Sequence, residues 1–353
     1  MQNTDILICA RNGSKRLVGK CALFLGIKEP ASFGAFMAVY RSSYNRYIYY
    51  FLFTDIFRNI LASDDSKQIN QLTQDMIKNT LLPLPPLNEQ NRIVKSLNDA
   101  FTVVDKIEKS KTNLEENIQK AKSKILDLAI RGKLVPQDPN DEPASVLLER
   151  IKAEKEELIK QGKIKRDKKE SVIFKGDDNS YYYHIENGSS VYDEKLELPS
   201  NWIPCTIYDI SYILGNKENQ IQTNEILNCG KYPVVSQSQE YIDGYCDFEE
   251  KAINNVPVIL FGDHTRIVKF IDFPFVIGAD GTKIFKIIAT NEKYIYYWMQ
   301  FASSKIVSKG YARHYGLLKR SCLCLPPLAE QKRIVEAIET IFAELDEISI
   351  QVT

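Results

Sequence analysis

Pro85-Pro86-Leu87-Asn88-Glu89-Gln90-Asn91-Arg92-Ile93-Val94 returns 241 residues later as Pro326-Pro327-Leu328-Ala329-Glu330-Gln331-Lys332-Arg333-Ile334-Val335. So specific a string, repeated once at long range, implies a duplicated structural unit and decides the fold before anything else is read. The register holds through Phe101 with Phe342, Asp105 with Asp346 and Ile107 with Ile348. Upstream, Tyr47-Ile48-Tyr49-Tyr50-Phe51-Leu52 answers Tyr294-Ile295-Tyr296-Tyr297-Trp298-Met299 at an offset of 247, which implies a loop of different length. Further back, residues 6–20 and residues 259–269 share an apolar strand running into a polar turn with an arginine. The second copy has a further stretch, residues 198–255, whose counterpart would precede residue 1, so the first copy is expected to begin in its middle.

Each Pro-Pro-Leu leads into a helical pattern, with the proline ending an extended segment and the glutamate placing a negative charge in the first turn. Apolar residues follow at alternating steps of four and three through Ile93, Leu97, Ala100, Val104, Ile107, Leu114, Ile118, Ala121, Ile125 and Leu128, with only Lys111 out of pattern. This is a heptad seam over residues 88–130, roughly 64 Å of helix at about 1.5 Å per residue. Ile334, Ile338, Ile341, Leu345, Ile348 and Val352 make a matching, shorter seam. The two helices are expected to pack antiparallel. The uncovered remainder is left for another chain or for residues 144–169, a helical pattern carrying Val146, Leu147, Ile151 and Leu158 and ending in a basic run, 163–169.

The chain has 353 residues, with 46 basic and 46 acidic side chains, so bulk charge gives no reason to expect a polyanionic partner. The length fits about two domains and 44% hydrophobic residues suffice for packed cores. No apolar run approaches the roughly 18 residues of a membrane span, and no secretory signal is expected at the N-terminus, so a cytoplasmic location without membrane contact is expected. Seven scattered cysteines without a Cys-x-x-Cys pair argue against a disulfide scaffold. Cys322-x-Cys324 lacks the second pair for tetrahedral metal ligation, and three histidines make a multi-histidine centre improbable, so no metal or cofactor is expected in this chain. Residues 13–21 fail the phosphate-loop pattern, having five residues between the glycines and Cys21 in place of the Mg²⁺-binding hydroxyl. Nothing points to a catalytic residue.

Segment charge is more informative than the total: residues 1–87 carry +4, 88–170 carry +3, 171–255 carry −9, 256–320 carry +6 and 321–353 carry −4. In the most basic segment the cations Arg266, Lys269, Lys283, Lys286, Lys293, Lys305, Lys309, Arg313, Lys319 and Arg320 are interleaved with aromatic and hydrogen-bonding residues. That mixture suits phosphate contacts with base-edge readout, and equally a solubilised surface. Two such modules held apart by paired helices would meet a duplex at two places. Tyr294, Tyr296, Tyr297 and Trp298 stand at helical spacing and read as core rather than as base-stacking platforms.

The run at residues 82–94, repeated at 323–335, resembles the junction between recognition domain and helix in DNA-specificity subunits of type I restriction-modification systems. Gly262-Asp263-His264-Thr265-Arg266, Gly278-Ala279-Asp280-Gly281 and a helix over residues 126–135 carry the same resemblance. It implies an α+β fold of two target-recognition domains, the first incomplete, linked by long antiparallel coiled-coil helices. The corresponding divisions are residues 1–87, 88–170, 171–325 and 326–353. It further implies a non-catalytic subunit that directs the complex to a split double-stranded DNA target. Its partners would be methyltransferase subunits using S-adenosylmethionine and a restriction/translocase subunit using ATP and Mg²⁺, with homodimerisation through the coiled coil also open.

Side chains able to make bidentate contacts to base edges should lie on loops. In the second domain these are Ser236, Gln237, Ser238 and Gln239; Asp263, His264, Thr265 and Arg266; and Lys283, Arg313, His314 and Tyr315. In the first, Arg11, Asn12, Ser14, Lys15 and Arg16 occupy the turn equivalent to 262–266. The coiled-coil seam residues are the expected subunit-docking surface. Two rivals remain at this point: a coiled-coil scaffold that binds methyltransferase subunits without reading DNA, and an enzyme with unrecognised motifs.

Overall fold

The computed structural model describes residues 1–26, 31–62, 71–166, 173–178, 180–187, 190–215, 217–278, 281–307 and 313–351. The chain divides into two compact units, Met1–Thr112 and Asn113–Thr353.

In the first unit, β1 (Ile6–Cys9) lies between β2 (Cys21–Leu23) and β3 (Met37–Tyr40), antiparallel to both. Period-two alternation puts Ile6 and Ile8 on one face, where both are buried against Ile48 and Phe51 of α1 (Asn45–Phe51) and Phe57 of α2 (Asp55–Ala62). The Asp5 carboxylate accepts Arg41 Nε at 2.6 Å and Nη2 at 2.7 Å, and the amide of Gln2 at 2.5 Å, tying the strand ends together. Thr73 caps α3 (Gln74–Lys78) by accepting the Met76 amide.

The second unit places α4 residues from Asn113 onward, within α4 (Leu87–Ile130), and α5 (Ala144–Lys160) before its sheets. The expected helix over 126–135 ends instead at Ile130. Gly132 takes φ +65°, and the Lys133 amide folds back to the Leu128 carbonyl at 2.8 Å, a glycine-terminated helix end. The same device at Gly162, φ +71°, stops α5 at Lys160, just before the basic run expected to be loosely structured. Residues 167–169 of the basic run lie outside the described residues.

A meander of β4 (Ile173–Lys175), β5 (Tyr181–Asn187) and β6 (Ser190–Lys195) follows, then β7 (Ile203–Cys205) and the capping-boxed α6 (Ile207–Ile210). β8 (Ser211–Leu214), β9 (Tyr232–Val235), β10 (Gly244–Cys246), β11 (Val258–Gly262), β12 (Val268–Ile271), β13 (Val276–Ile277) and β14 (Thr282–Ile287) build two sheets. One runs β12-β11-β14-β8, all antiparallel; the other runs β10-β9-β13, with β9 and β13 parallel. β11 is buried on both faces, which is why it reads as a continuous apolar run. Ile259 and Phe261 enter the helical core; Val258 and Leu260 face a second core with Val235 and Ile277.

The chain closes with α7 (Glu292–Lys305), α8 (Tyr315–Arg320), β15 (Leu323–Leu325), paired with β7, and α9 (Leu328–Gln351). Tyr294 and Trp298 are buried and Tyr296 and Tyr297 half-buried, so this aromatic row is core, as its spacing implies. Leu323 and Leu325 of β15 face inward while Cys324 is half-buried, and among the described residues no cluster of three or more metal-ligating side chains is found.

The repeat is structural down to single bonds. β2-β1-β3 has the pairing of β12-β11-β14. Gln90 Nε2 donates to the Pro85 carbonyl at 2.8 Å, and Gln331 Nε2 to Pro326 at 2.9 Å. Tyr47 donates to the Pro83 carbonyl, and Tyr294 to that of Cys324, with the donor 247 and the acceptor 241 residues later. Tyr50 packs on Phe101 with centroids 5.8 Å apart, and Tyr297 on Phe342 at 5.9 Å. The glutamates differ: Glu89 is exposed, whereas Glu330 is buried and accepts Trp202 Nε1 at 2.9 Å and Gln137 Nε2 at 2.5 Å.

Within the second unit α4 and α9 run antiparallel. Lys122 reaches Asp346 at 2.5 Å and lies over the Phe342 ring, whereas beyond the end of α4 Gln137 meets Glu330 and Asp141 meets Arg333. Ile118, Ile334 and Ile338 are buried, and Leu114, Ile125, Leu128, Ile341 and Leu345 half-buried. Ile348 is exposed, and Val352 lies outside the described residues. In the first unit Ile93 and Leu97 are half-buried, but Val104 and Ile107 are exposed, beside exposed Phe101 and Val103. Among the described residues no helix is long and apolar enough to cross a membrane.

Candidate functional site

Three segments far apart in sequence meet at one end of the four-stranded sheet. Antiparallel pairing sets Gly262, the end of β11, opposite Thr282, the start of β14. The Gly278 amide donates to the Val235 carbonyl, bringing the end of β9 alongside. The result joins residues 236–239, 262–266 and 281–283. Gln237 Oε1 accepts the His264 amide at 3.0 Å, and the Asp263 amide donates to the Gly281 carbonyl at 2.7 Å. Gly281, at φ +84°, permits this approach: a Cβ there would stand 2.7 Å from Gln237 Nε2 and 2.9 Å from His264 Cδ2. Ala279 and Asp280 of the sequence motif, and Lys309, lie outside the described residues.

The start of α8 completes the cluster. The Asp263 carbonyl accepts the His314 amide at 2.8 Å and faces His314 Nδ1 at 3.0 Å, while Asp263 Oδ1 accepts the Tyr315 amide at 2.8 Å. Asp263 and His314 are therefore buried ties between loops, not groups offered outward. His314 Nε2 and Thr282 Oγ1 are buried without a hydrogen-bond partner among the described residues. Ser236 is buried; its hydroxyl accepts the Ser238 amide, and Ser238 donates to Asp243. From behind, Lys269 donates to the Glu240 carbonyl and Tyr241 to the Phe270 carbonyl, fixing this loop to β12. Burial pushes the Lys269 ammonium below the usual lysine range, opposed by the nearby Asp243.

Arg266 is turned away from the cluster. Its left-handed backbone, φ +64°, directs Nη1 to the Ile306 carbonyl at 2.5 Å, and Ser303 Oγ donates to the Arg266 carbonyl at 2.5 Å, docking the loop on the end of α7. The side chains left toward solvent are exposed Gln239, Thr265 and Arg313 and half-exposed Gln237, His264 and Lys283. Lys283 Nζ lies 5.3 Å from the centre of the Tyr315 ring, and Lys319 Nζ 4.9 Å from that of Tyr208, whose hydroxyl contacts that of Tyr315. Tyr208 was not among the sequence candidates and Lys319 was named only within the basic run; the fold brings both to the site.

In the first unit the turn after β1 occupies the position of 262–266 after β11. Asn12 Oδ1 accepts the Ser14 amide at 2.9 Å, a side-chain-closed turn. Arg11 lies over the Phe36 ring at 5.7 Å. Arg11, Ser14, Lys15 and Arg16 are exposed, so this turn is cationic and accessible.

The comparisons with known proteins agree on one family. The model of the type I restriction modification DNA specificity domain matches residues 1–116 and 199–352, leaving out the α5 and β4–β6 segment. The specificity subunit of the type I restriction enzyme EcoAI of Escherichia coli is 29% identical over 261 residues, covering 66% of this chain and 41% of that protein. The EcoEI specificity subunit of Escherichia coli is 50% identical over 97 residues, 27% of this chain and 14% of that protein. The chain thus spans less than half the length of these curated relatives. A chain in a solved structure on complex assembly and conformational transition of the type I R-M system superimposes over all of this chain and 77% of its own, with a TM-score of 0.61 at 14% identity. The fold is therefore shared with that chain. With the match extending over most of its length in two separate stretches, each ending in a Pro-Pro-Leu helix, the chain belongs to the type I restriction modification DNA specificity domain family.

Proposed function

We propose that this chain is a non-catalytic DNA-reading subunit that directs a type I restriction-modification complex to a bipartite duplex target from the cytoplasm. The observation that carries this reading is the convergence of residues 236–239, 262–266 and 281–283 with the start of α8 at one sheet end. A rigid, glycine-permitted framework there presents amide, hydroxyl, imidazole and cationic side chains outward. Sequence readout needs such donors and acceptors held in fixed positions. Gln237, Gln239, His264, Thr265 and Arg313 are assigned to base edges and nearby backbone; Asp263, His314, Ser236 and Arg266 position the loops. Arg11, Asn12, Ser14, Lys15 and Arg16 are assigned to a second contact.

Residues 1–87 and 171–325 act as recognition modules, and residues 88–170 and 326–353 supply the spacer and the docking surface for methyltransferase subunits. The exposed apolar positions Phe101, Val104 and Ile107 on α4 support that role. S-adenosylmethionine, ATP and Mg²⁺ belong to partner subunits.

The test is expression with its methyltransferase subunit in a methylation-free host, followed by genome-wide mapping of modified adenines. A motif of two short specific parts at fixed spacing is expected. Gln239→Ala, at an exposed position, should relax one position of that motif, at about 1–3 kcal/mol of discrimination per bidentate contact. Modification without a motif, or none at all, refutes the reading.

A further inference from the structure

The sequence shows that the cations of residues 256–320 suit phosphate contacts but does not show which of them stand together. In the fold, β14 and α8, with α6 behind them, gather two lysines on a pair of tyrosines. Lys283 Nζ sits 5.3 Å above the Tyr315 ring and Lys319 Nζ 4.9 Å above the Tyr208 ring. The two ring centroids are 6.3 Å apart and their hydroxyls are in contact, so both ammonium groups belong to one aromatic pair. The platform is stiff: Tyr315 packs against Phe285 of the core, and its amide is bound by Asp263. Lys155 donates to the Tyr208 carbonyl and, at 2.9 Å, to that of Ser211, adding a third cation behind the rings.

Among the described residues neither Lys283 nor Lys319 has a carboxylate within ion-pair distance, although eleven ion pairs are formed elsewhere among them. A ring face holds an ammonium in place without consuming its three N–H donors. Each ammonium therefore keeps donors for charge-assisted hydrogen bonds to an anion.

We propose that Lys283 and Lys319, seated on Tyr315 and Tyr208, form a clamp for backbone phosphates of duplex DNA beside the base-reading loops. This rests on the proposed DNA-reading function and deepens it. Contiguity selects the ligand: Lys283 follows Thr282, which pairs with Gly262, and Tyr315 is bonded to Asp263, so the clamp adjoins the loop cluster. The clamp fixes register and orientation and carries no sequence information.

The experiment measures affinity of the full chain for a short random-sequence duplex across a salt series, in the parent, in Lys283→Met, in Lys319→Met and in the double variant. Methionine keeps the aliphatic packing on the ring and removes the charge. Each released counterion contributes about 0.9 to the slope of log affinity against log salt, so each single variant should lose about 1 and the double about 2. Lys→Arg at both positions should retain the slope, and the methylated motif should be unchanged in every variant. If the double variant loses its melting transition, the singles and the arginine pair give the answer. Equal slopes in parent and variants overturn the clamp while leaving the DNA-reading function in place. A changed motif overturns it too, making these residues base readers. Failure of the parent to bind any duplex overturns the functional reading and the clamp with it.

Discussion

Glu89 and Glu330 hold the same place in the repeated motif, and their replacement by alanine should give sharply different outcomes. Glu330 is buried, with Trp202 Nε1 at 2.9 Å on one oxygen and Gln137 Nε2 at 2.5 Å on the other. A hydrogen bond to a charged group contributes about 1.5–3 kcal/mol, and a buried donor stripped of its acceptor costs about 1–3 kcal/mol. The carboxylate's own desolvation offsets part of this, since burial holds its pKa above the usual range. Glu330→Ala should therefore cost about 2–4 kcal/mol. At about 2–4 °C per kcal/mol for a unit of this size, its melting transition should fall by roughly 5–15 °C. Glu89 is exposed, and Glu89→Ala should stay within about 0.5 kcal/mol of the parent. Because the folded pKa of Glu330 is raised, its titration favours the folded state most at low pH and progressively less as pH rises through the folded value. Glu330→Gln should remove that slope. Calorimetric melts of parent and variants across pH decide the matter: equal shifts for the two alanine variants would refute the buried tie between α9 and the loop after α4.

Gly132→Ala should destabilise the second unit by at least about 1 kcal/mol, because the left-handed φ is strained for alanine and its Cβ would lie 2.6 Å from Pro199 Cγ; a chemical denaturation midpoint measures it. Ile334→Ala, fully buried where α9 enters the helical core, should cost about 2–5 kcal/mol, and a loss below about 1 kcal/mol would show that the α9 packing is misassigned. Asp5 is held down to about 2 by Arg41 and the Gln2 amide, so its contribution to the first unit should be complete above the unfolded carboxylate range and vanish as pH falls toward 2. Arg41→Met should reduce that acid sensitivity in a pH-dependent melt, leaving the part that the Gln2 amide supplies. Burial raises Cys21 to about 11, so a thiol reagent at neutral pH should modify exposed Cys229 far ahead of Cys21.

Local and periodic features were legible without coordinates. The Pro-Pro-Leu string sets a helix start, the heptad sets a seam, and their recurrence sets a duplicated plan, because each depends on neighbours within a few turns. The match extends to Gln90 and Gln331 donating to equivalent proline carbonyls. The heptad seam ends with α4 at 130, while the helix over 126–135 was overshot, since a glycine stops a helix only if its left-handed conformation is taken up. The fold brings the candidate loops of the second unit together, but their individual burial and bonding could not be read from the sequence. Nothing in the string Gly-Asp-His-Thr-Arg says that Asp263 is consumed by Tyr315, or that Arg266 turns to Ile306, because both partners lie some 40 to 50 residues along the chain. Lys319 and Tyr208 met only when β7, α6 and α8 had packed on the same core. Sequence alone thus determined the repeat, its helices and the seam that pairs them, through short-range geometry. Tertiary structure decided which side chains of the loop cluster are buried as ties and which face solvent, because burial and hydrogen-bond satisfaction are properties of the packed chain and of no single segment.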